Sequence, residues 1–272
     1  MAYHALILRN PARAEATVHE FGKLGITSWC AQLIETIWPR DREALDRMAS
    51  RLVGGQYSWL VLTSVSTVQV LGQLLAGRPL PPQLRIVSVG EKTSQSIAAT
   101  LGRRADVQPQ LQSAAGMLQQ WHPEPGARIC YPHGDLASPA LADGLARQPV
   151  TVDEVIAYQN VNAPASGTVL DGSTAKGALN ILPPGAIGGK LVEMDVVVFS
   201  APSVARRFTQ LAGDRLPPSV HTIAIGAPTA KAMAEAGLPV HAIAAEPTPQ
   251  GLARAAKDLL QLDGIAAAEE TK

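Results

Sequence analysis

Hydroxyls, glycines and one phenol stand where the short apolar runs of this chain end. "WLVLTS" ends on Thr63 and Ser64, with Ser66 close behind, and "VVVFS" ends on Ser200, with Ser203 following. "RIVSVG" and "TIAIG" end on Gly90 and Gly226, and the third residue after each glycine is a threonine, Thr93 and Thr229. "ALILR" ends on Arg9, "RICYPHG" on His133 and Gly134, and Tyr158 lies in "VIAYQNV". The chemistry open to this set is anion binding. Amides in the first turn of a helix are unpaired donors that favour negative charge. A glycine removes a side chain where a ligand approaches, a hydroxyl adds a donor, and a phenol gives a proton or a hydrogen bond. The same residue types also serve as plain helix caps and turn formers, and a tyrosine ring also simply packs.

Such residues need strands and helices to hold them. Apolar runs of strand length alternate with helical stretches along the chain. Strands are expected at 5–10, 26–33, 59–64, 85–90, 105–109, 128–134, 150–161, 196–200, 222–226 and 240–245. Helices are expected after Asn10-Pro11, Asp41, Ser113, Ser138-Pro139 and Thr248-Pro249, where a capping side chain or a first-turn proline opens them. This alternation predicts an α/β fold with doubly wound parallel sheets of flavodoxin-like type.

The chain also repeats itself. Gly90 is as far from Gly226 as Thr93 is from Thr229, and "LVLTSVS" echoes "VVVFSAPS". One repetition suggests two similar domains. The second copy lacks two strands, and the N-terminus holds two unclaimed ones. A circular relation follows: residues 1–36 with 162–272 form a discontinuous domain, and 38–153 form an inserted one. Segments 34–40 and 154–161 would then be two interdomain hinge strands beside a cleft. Residues 162–190, rich in Gly, Pro, Ala and Ser, read as a mobile surface segment with at most one short helix.

Composition excludes several function classes. Basic and acidic residues balance at 23 each, so a nucleic-acid footprint is missing. The N-terminus does not read as a signal peptide, and no apolar stretch is long enough for a membrane span. The expectation is a cytoplasmic, monomeric protein without nucleic-acid or membrane partners. Cys30 and Cys130 lie in apolar runs and read as buried free thiols. No metal-ligand spacing, dinucleotide fingerprint, P-loop or GxSxG elbow occurs, so neither a metal nor an organic cofactor is expected.

Together these residues resemble the uroporphyrinogen-III synthase family over 1–161 and 195–260. The family's first-strand "TR" is Leu8-Arg9 here, its "FTSPNAV" is "LTSVSTV" at 62–68, and its "VGxxT" runs from Val89 to Thr93. Its hinge tyrosine is Tyr158, its second "FTSPS" is "FSAPS" at 199–203, and its "IGxxTA" runs from Ile225 to Ala230. The chain departs from the family at Leu62, at Ala201, and at His133-Gly134, where Arg-Gly is common. The resemblance implies a cofactor-independent hydro-lyase that dehydrates and cyclises hydroxymethylbilane, a linear tetrapyrrole with eight carboxylates, with inversion of the last pyrrole. It implies Tyr158 as the acid. The expected substrate contacts are Arg9, Thr63, Ser64, Ser66, Gly90, Thr93, His133, Gly134, Ser200, Ser203, Gly226 and Thr229. Two alternatives stay open: a non-catalytic module that senses a tetrapyrrole or polyanion on the same scaffold, and a two-domain sugar- or phosphate-binding protein.

Overall fold

The first strand, β1 (Tyr3–Leu8), buries its last four residues on both faces. A continuous apolar run with no polar alternation marks a parallel strand covered by helices on each side. In the structure, a computed structural model that describes residues 2–170 and 175–262, this pattern recurs at 59–62 and 196–199. Helix α1 (Pro11–Gly22) starts where expected, with Asn10 accepting a bond from the Arg13 amide at 3.3 Å. Next come β2 (Ile26–Cys30), β3 (Ile34–Ile37), α2 (Arg42–Val53), β4 (Trp59–Leu62), α3 (Val65–Leu75), β5 (Arg85–Ser88) and α4 (Glu91–Leu101). Then follow α5 (Ala114–Gln120), β6 (Arg128–Gly134), α6 (Ala140–Ala146), β7 (Thr151–Asn162) and β8 (Asn180–Ile181). The remainder is α7 (Ile187–Lys190), β9 (Val196–Phe199), α8 (Pro202–Ala212), β10 (His221–Ala224), α9 (Ala227–Glu235), β11 (Ala242–Ile243) and α10 (Pro249–Leu260). Asp41, Ser64, Ser113 and Thr248 cap their helices through side-chain oxygens, as their types predict.

The described residues fall into two units. One contains those of Met1–Glu35, Val161–Ser166 and Gly172–Lys272, the other those of Thr36–Asn160 and Gly167–Asp171. The first unit holds a sheet in the order β11-β10-β9-β1-β2-β8, with parallel pairing throughout. The second holds a sheet in the order β3-β7-β6-β4-β5, in which β4 pairs with β5 and β6, and β6 with β7, all parallel. The expected parallel α/β architecture is present. Each sheet has a separate apolar core on either face. In the first unit Leu6, Leu8 and Phe199 pack with Phe208 and Met233, while Ala5, Ile7 and Val198 pack with Phe21 and Leu252. In the second, Leu60 and Leu62 pack with Met48 and Leu71, while Trp59 and Val61 pack with Met117 and Leu141.

Three local expectations need correction. At 105–109 only Val107 bridges, to Val87. The Asp106 carboxylate takes the Ile86 amide at 2.7 Å, a donor that a longer ladder would need. At 240–245 the strand shrinks to two residues, Ala242–Ile243. Segment 162–190 is more than a surface loop. Asn180–Ile181 extends the first sheet beyond β2, Leu182 donates to the Cys30 carbonyl at 2.8 Å, and Val169 bridges antiparallel to Ile37. Its residues 171–174 lie outside the described ones.

Strand β7 departs from regular pairing at one point. His133 lies opposite Ile156, but Gly134 lies opposite Tyr158, so one residue of β7 is extra. A bulge of this kind bends the strand and re-aims a side chain. The ring of Tyr158 lies directly over Gly134, where a Cβ would stand 2.5 Å from Cζ. Gly134→Ala must therefore push the ring away. The overpacking should cost about 1–3 kcal/mol. Tyr158→Ala should relieve most of that loss, so melting temperatures of the single and double variants should be strongly non-additive. Additive losses would show that the ring is not what the methyl group meets.

The two thiols are free and buried, one in each unit. Burial pushes Cys30 up to about 11 and Cys130 well above the ordinary thiol range. An unfolded thiol ionises near ~8.5. The stabilising contribution is therefore fully present below that pH, and is lost as pH rises through the folded values, because the unfolded chain releases its protons first. Denaturant midpoints should fall between pH 8 and 10, and the fall should be shallower in a Cys30→Ala, Cys130→Ala variant.

Candidate active site

In an open parallel sheet, ligands gather beyond the carboxyl ends of the strands, where neighbouring connections leave in opposite directions. In the second unit that point lies at β4 and β6. From β4 the chain runs through α3 to β5 on one side, and from β6 through α6 to β7 on the other. A concavity of about 280 Å³ opens there. Thr63, Ser64, Tyr131, Gly134, Ser138, Tyr158 and Asn160 supply its polar groups and backbone, and Val89, Leu136 and Leu141 its apolar ones.

Thr63 and Ser64 are the first residues after β4, whose four residues are all buried. Ser64 caps α3: its Oγ accepts from the Thr67 amide at 3.1 Å and shares a bond with Thr67 Oγ1 at 2.8 Å. The Tyr158 hydroxyl donates to the same Ser64 Oγ at 3.2 Å. The phenol's one proton thus points at a weak neutral acceptor, and it is free to turn to a stronger one entering the concavity. Tyr131 is almost fully buried, and this burial raises its phenol above the ordinary range, against an opposing hydrogen bond with Thr63. It remains a neutral donor at physiological pH. Asn160 gives both its backbone amide and its Nδ2 to Asp135 Oδ1, each at 3.0 Å.

Other expected residues are placed differently. His133 does not line the concavity. Its Nδ1 meets the Gly134 carbonyl at 2.8 Å, its Nε2 meets Glu154 at 2.8 Å, and its ring lies 4.7 Å from that of Tyr131. Ser66 sits half-buried in the first turn of α3, and Thr93 is buried in α4, so neither reaches the concavity. Gly90 begins α4, but the Gln112 side chain already covers it. Gln112 Oε1 accepts from the Glu91 amide at 3.3 Å, and a Cβ on Gly90 would stand 2.3 Å from that oxygen.

In the first unit the corresponding point lies at β1 and β9, which pair with each other while their connections run to β2 and β10. Arg9 follows β1 and is half-buried. Burial, and then the nearby Arg13, lower its guanidinium below the usual range. No carboxylate among the described residues pairs with it. Ser200 follows β9 and donates to the Leu8 carbonyl at 2.6 Å, leaving its lone pairs to accept. Helices α8 and α9 begin at Ala201 and Gly226 with no side-chain cap. Ser203 is half-buried in the first turn of α8, and Thr229 is buried in the first turn of α9. Beyond Gly226 the nearest atom to a built Cβ is Pro228 Cδ at 4.0 Å, so this rim is open. It is a set of donors and one cation, suited to carboxylates.

The structure therefore brings Thr63, Ser64, Gly134 and Tyr158 together, and sets Arg9, Ser200 and Gly226 at the strand ends of the other unit, with Ser203 half-buried and Thr229 buried in the helix turns that follow. Sequence reasoning missed Tyr131, Ser138 and Asn160. Asn160 was within reach, since two residues along a strand share a face and Tyr158 lies two before it. Among the described residues no group of three or more His, Cys, Asp and Glu could hold a metal, and no helix is long and apolar enough to cross a membrane.

Known proteins share this fold. Solved structures with a similar fold include a mutant uroporphyrinogen III synthase from Thermus thermophilus, 18% identical with a TM-score of 0.66 over 96% of this chain and 99% of that one. Another is the uroporphyrinogen-III synthetase of Helicobacter pylori, 15% identical with a TM-score of 0.58 over 94% and 99%. At these identities the likeness shows the fold. No curated protein matches the sequence significantly. The family described as "Uroporphyrinogen-III synthase HemD" matches residues 15–254. With a match over most of its length, the chain belongs to the uroporphyrinogen-III synthase family.

Proposed function

We propose that the protein converts hydroxymethylbilane to uroporphyrinogen III, with loss of water. The observation that carries this reading is a phenol, Tyr158, held over a concavity by Ser64 in a chain of this family. The Tyr158 proton passes to the terminal hydroxyl, the carbon–oxygen bond breaks, and water leaves. The pyrrole nitrogen stabilises the resulting cation. The last pyrrole attacks through its substituted carbon, and the spiro intermediate rearranges to the inverted ring. The proton then lost from ring carbon returns to the phenolate, so the phenol is regenerated. Dehydration and ring closure leave the oxidation level unchanged, and the steps ask for no electron carrier or nucleotide.

The unassisted reaction closes the ring without inversion, so the protein's main task is orientation. Amides at the starts of α8 and α9, together with the Arg9 guanidinium, bind substrate carboxylates in the first unit. Such contacts hold the flexible chain in the coil that brings its last ring to the reacting carbon.

Freshly generated hydroxymethylbilane, incubated with the protein and no added metal or nucleotide, should yield the type III isomer after oxidation and chromatography. Formation of the type I isomer alone, at the rate of a blank, would overturn the proposed activity. Tyr158→Phe should lower kcat on the order of 10²-fold, the low end for a positioned acid. Its KM should change little and the product should stay type III, because inversion depends on how the substrate is folded. Unchanged turnover would remove the phenol from the mechanism.

A further inference from the structure

The bulge that aims Tyr158 also weakens the strand that carries it. Beyond His133 the regular pairing of β6 with β7 slips by one residue, and β6 ends at Gly134. An unpaired residue in a ladder leaves its strand freer to shift. Here the residue just past the end of β6 repairs the pairing. The Asp135 amide donates to the Tyr158 carbonyl at 3.1 Å. One oxygen of its carboxylate, Oδ1, accepts the Asn160 amide and the Asn160 Nδ2, both at 3.0 Å. Three bonds from one residue thus grip β7 at Tyr158 and again at Asn160. Thr36 Oγ1 lies 3.5 Å from Asn160 Oδ1, so the Asn160 amide is held at both ends. Both gripped residues line the concavity.

We propose that Asp135 is the positioning residue of this site, fixing the Tyr158 phenol over Gly134 and the Asn160 amide beside it. The kinetic part of the inference rests on the function proposed above; the positional part does not. No cationic side chain among the described residues pairs with Asp135. Its carboxylate works through the direction of its lone pairs, and an amide oxygen at the same place serves equally. This separates Asp135 from a charge that acts on substrate directly. It also separates it from Glu154, whose carboxylate meets the His133 ring instead.

The test combines two readouts. The protein has four tyrosines, and carbon-13 labelling at the ring ζ position gives one signal each, with that of Tyr158 identified by its loss in Tyr158→Phe. Asp135→Ala should move and broaden the Tyr158 signal while leaving those of Tyr3 and Tyr57 in place, and Asp135→Asn should restore it. In steady-state assays Asp135→Ala should lower kcat about 10–100-fold, the scale of a misplaced catalytic group. KM should change by less than about threefold, and Asp135→Asn should recover most of the rate. In the Tyr158→Phe background Asp135→Ala should cost no more than about threefold further, because most of its effect acts through the phenol. An unmoved Tyr158 signal in a folded Asp135→Ala protein overturns the proposal, and so does an equal loss of rate in the Phe background. If the alanine variant does not fold, Asp135→Ser, whose side chain is too short to reach Asn160 in the same way, is read by the same criteria. A wild-type protein inactive on hydroxymethylbilane whose Tyr158 signal still answers to Asp135 would refute the activity and leave the positioning role standing.

Discussion

The central strands of each sheet, β1 and β9 in one and β4 in the other, are covered by helices on both faces, and much else in the protein follows from that. A strand with helices on each side must be apolar at every residue, so polar chemistry is driven to the strand ends. Strand β4 shows the transition over one peptide bond: Leu62 is wholly buried, and Thr63 is half-exposed in the wall of the concavity. Helix starts gather at the same edge, because each parallel strand feeds the next helix there. Amides without intrahelical partners and hydroxyls that cap them therefore collect in one place before any ligand is considered. The concavity of the second unit and the Arg9–Ser200 rim of the first are two outcomes of this one geometry.

Within it, the placement of Tyr158 depends on small irregularities. A strand residue normally projects at right angles to its sheet, and a fully regular β7 would not lay this ring along the end of β6. The register slip at His133 and Gly134, the missing Cβ at Gly134 and the turn of Asp135 act together. The ring comes to rest with its hydroxyl on Ser64, which is already committed to capping α3. The cap thus links the phenol to the start of α3. His133 follows the same economy of contacts: its ring braces Tyr131 and Glu154 rather than facing the concavity.

Much of this was legible in the sequence, for physical reasons that differ by element. Asn10-Pro11 and Thr248-Pro249 announce helices because capping is a local interaction, complete within four residues. The runs at β1, β4 and β9 are legible because burial on both faces leaves no polar interruption. What was missed depends on partners distant in the chain. Nothing within 105–109 tells that Asp106 will take an amide of the neighbouring strand, and nothing near Asn180 tells that Cys30 will accept from Leu182. The site divides in the same way. Thr63, Ser64 and Tyr158 stand at strand ends or in a marked strand, whereas Tyr131 enters only because β6 runs beside β4. The placing of His133 was not legible, because its position after a strand says nothing about Glu154, which reaches it from β7.

The two glycines that echo each other in the sequence have come to hold different freedoms. At Gly226 the space beyond the backbone is empty out to Pro228, whereas at Gly90 it is filled by Gln112. A new side chain at Gly226 meets no internal obstacle and is a single mutational step. One at Gly90 must turn the Gln112 side chain aside, and the bond of its amide oxygen to the Glu91 amide is lost. The paired halves of this chain are therefore unequal as material for evolution: a substitution at Gly226 disturbs no neighbour, and one at Gly90 costs the hydrogen bond that Gln112 makes.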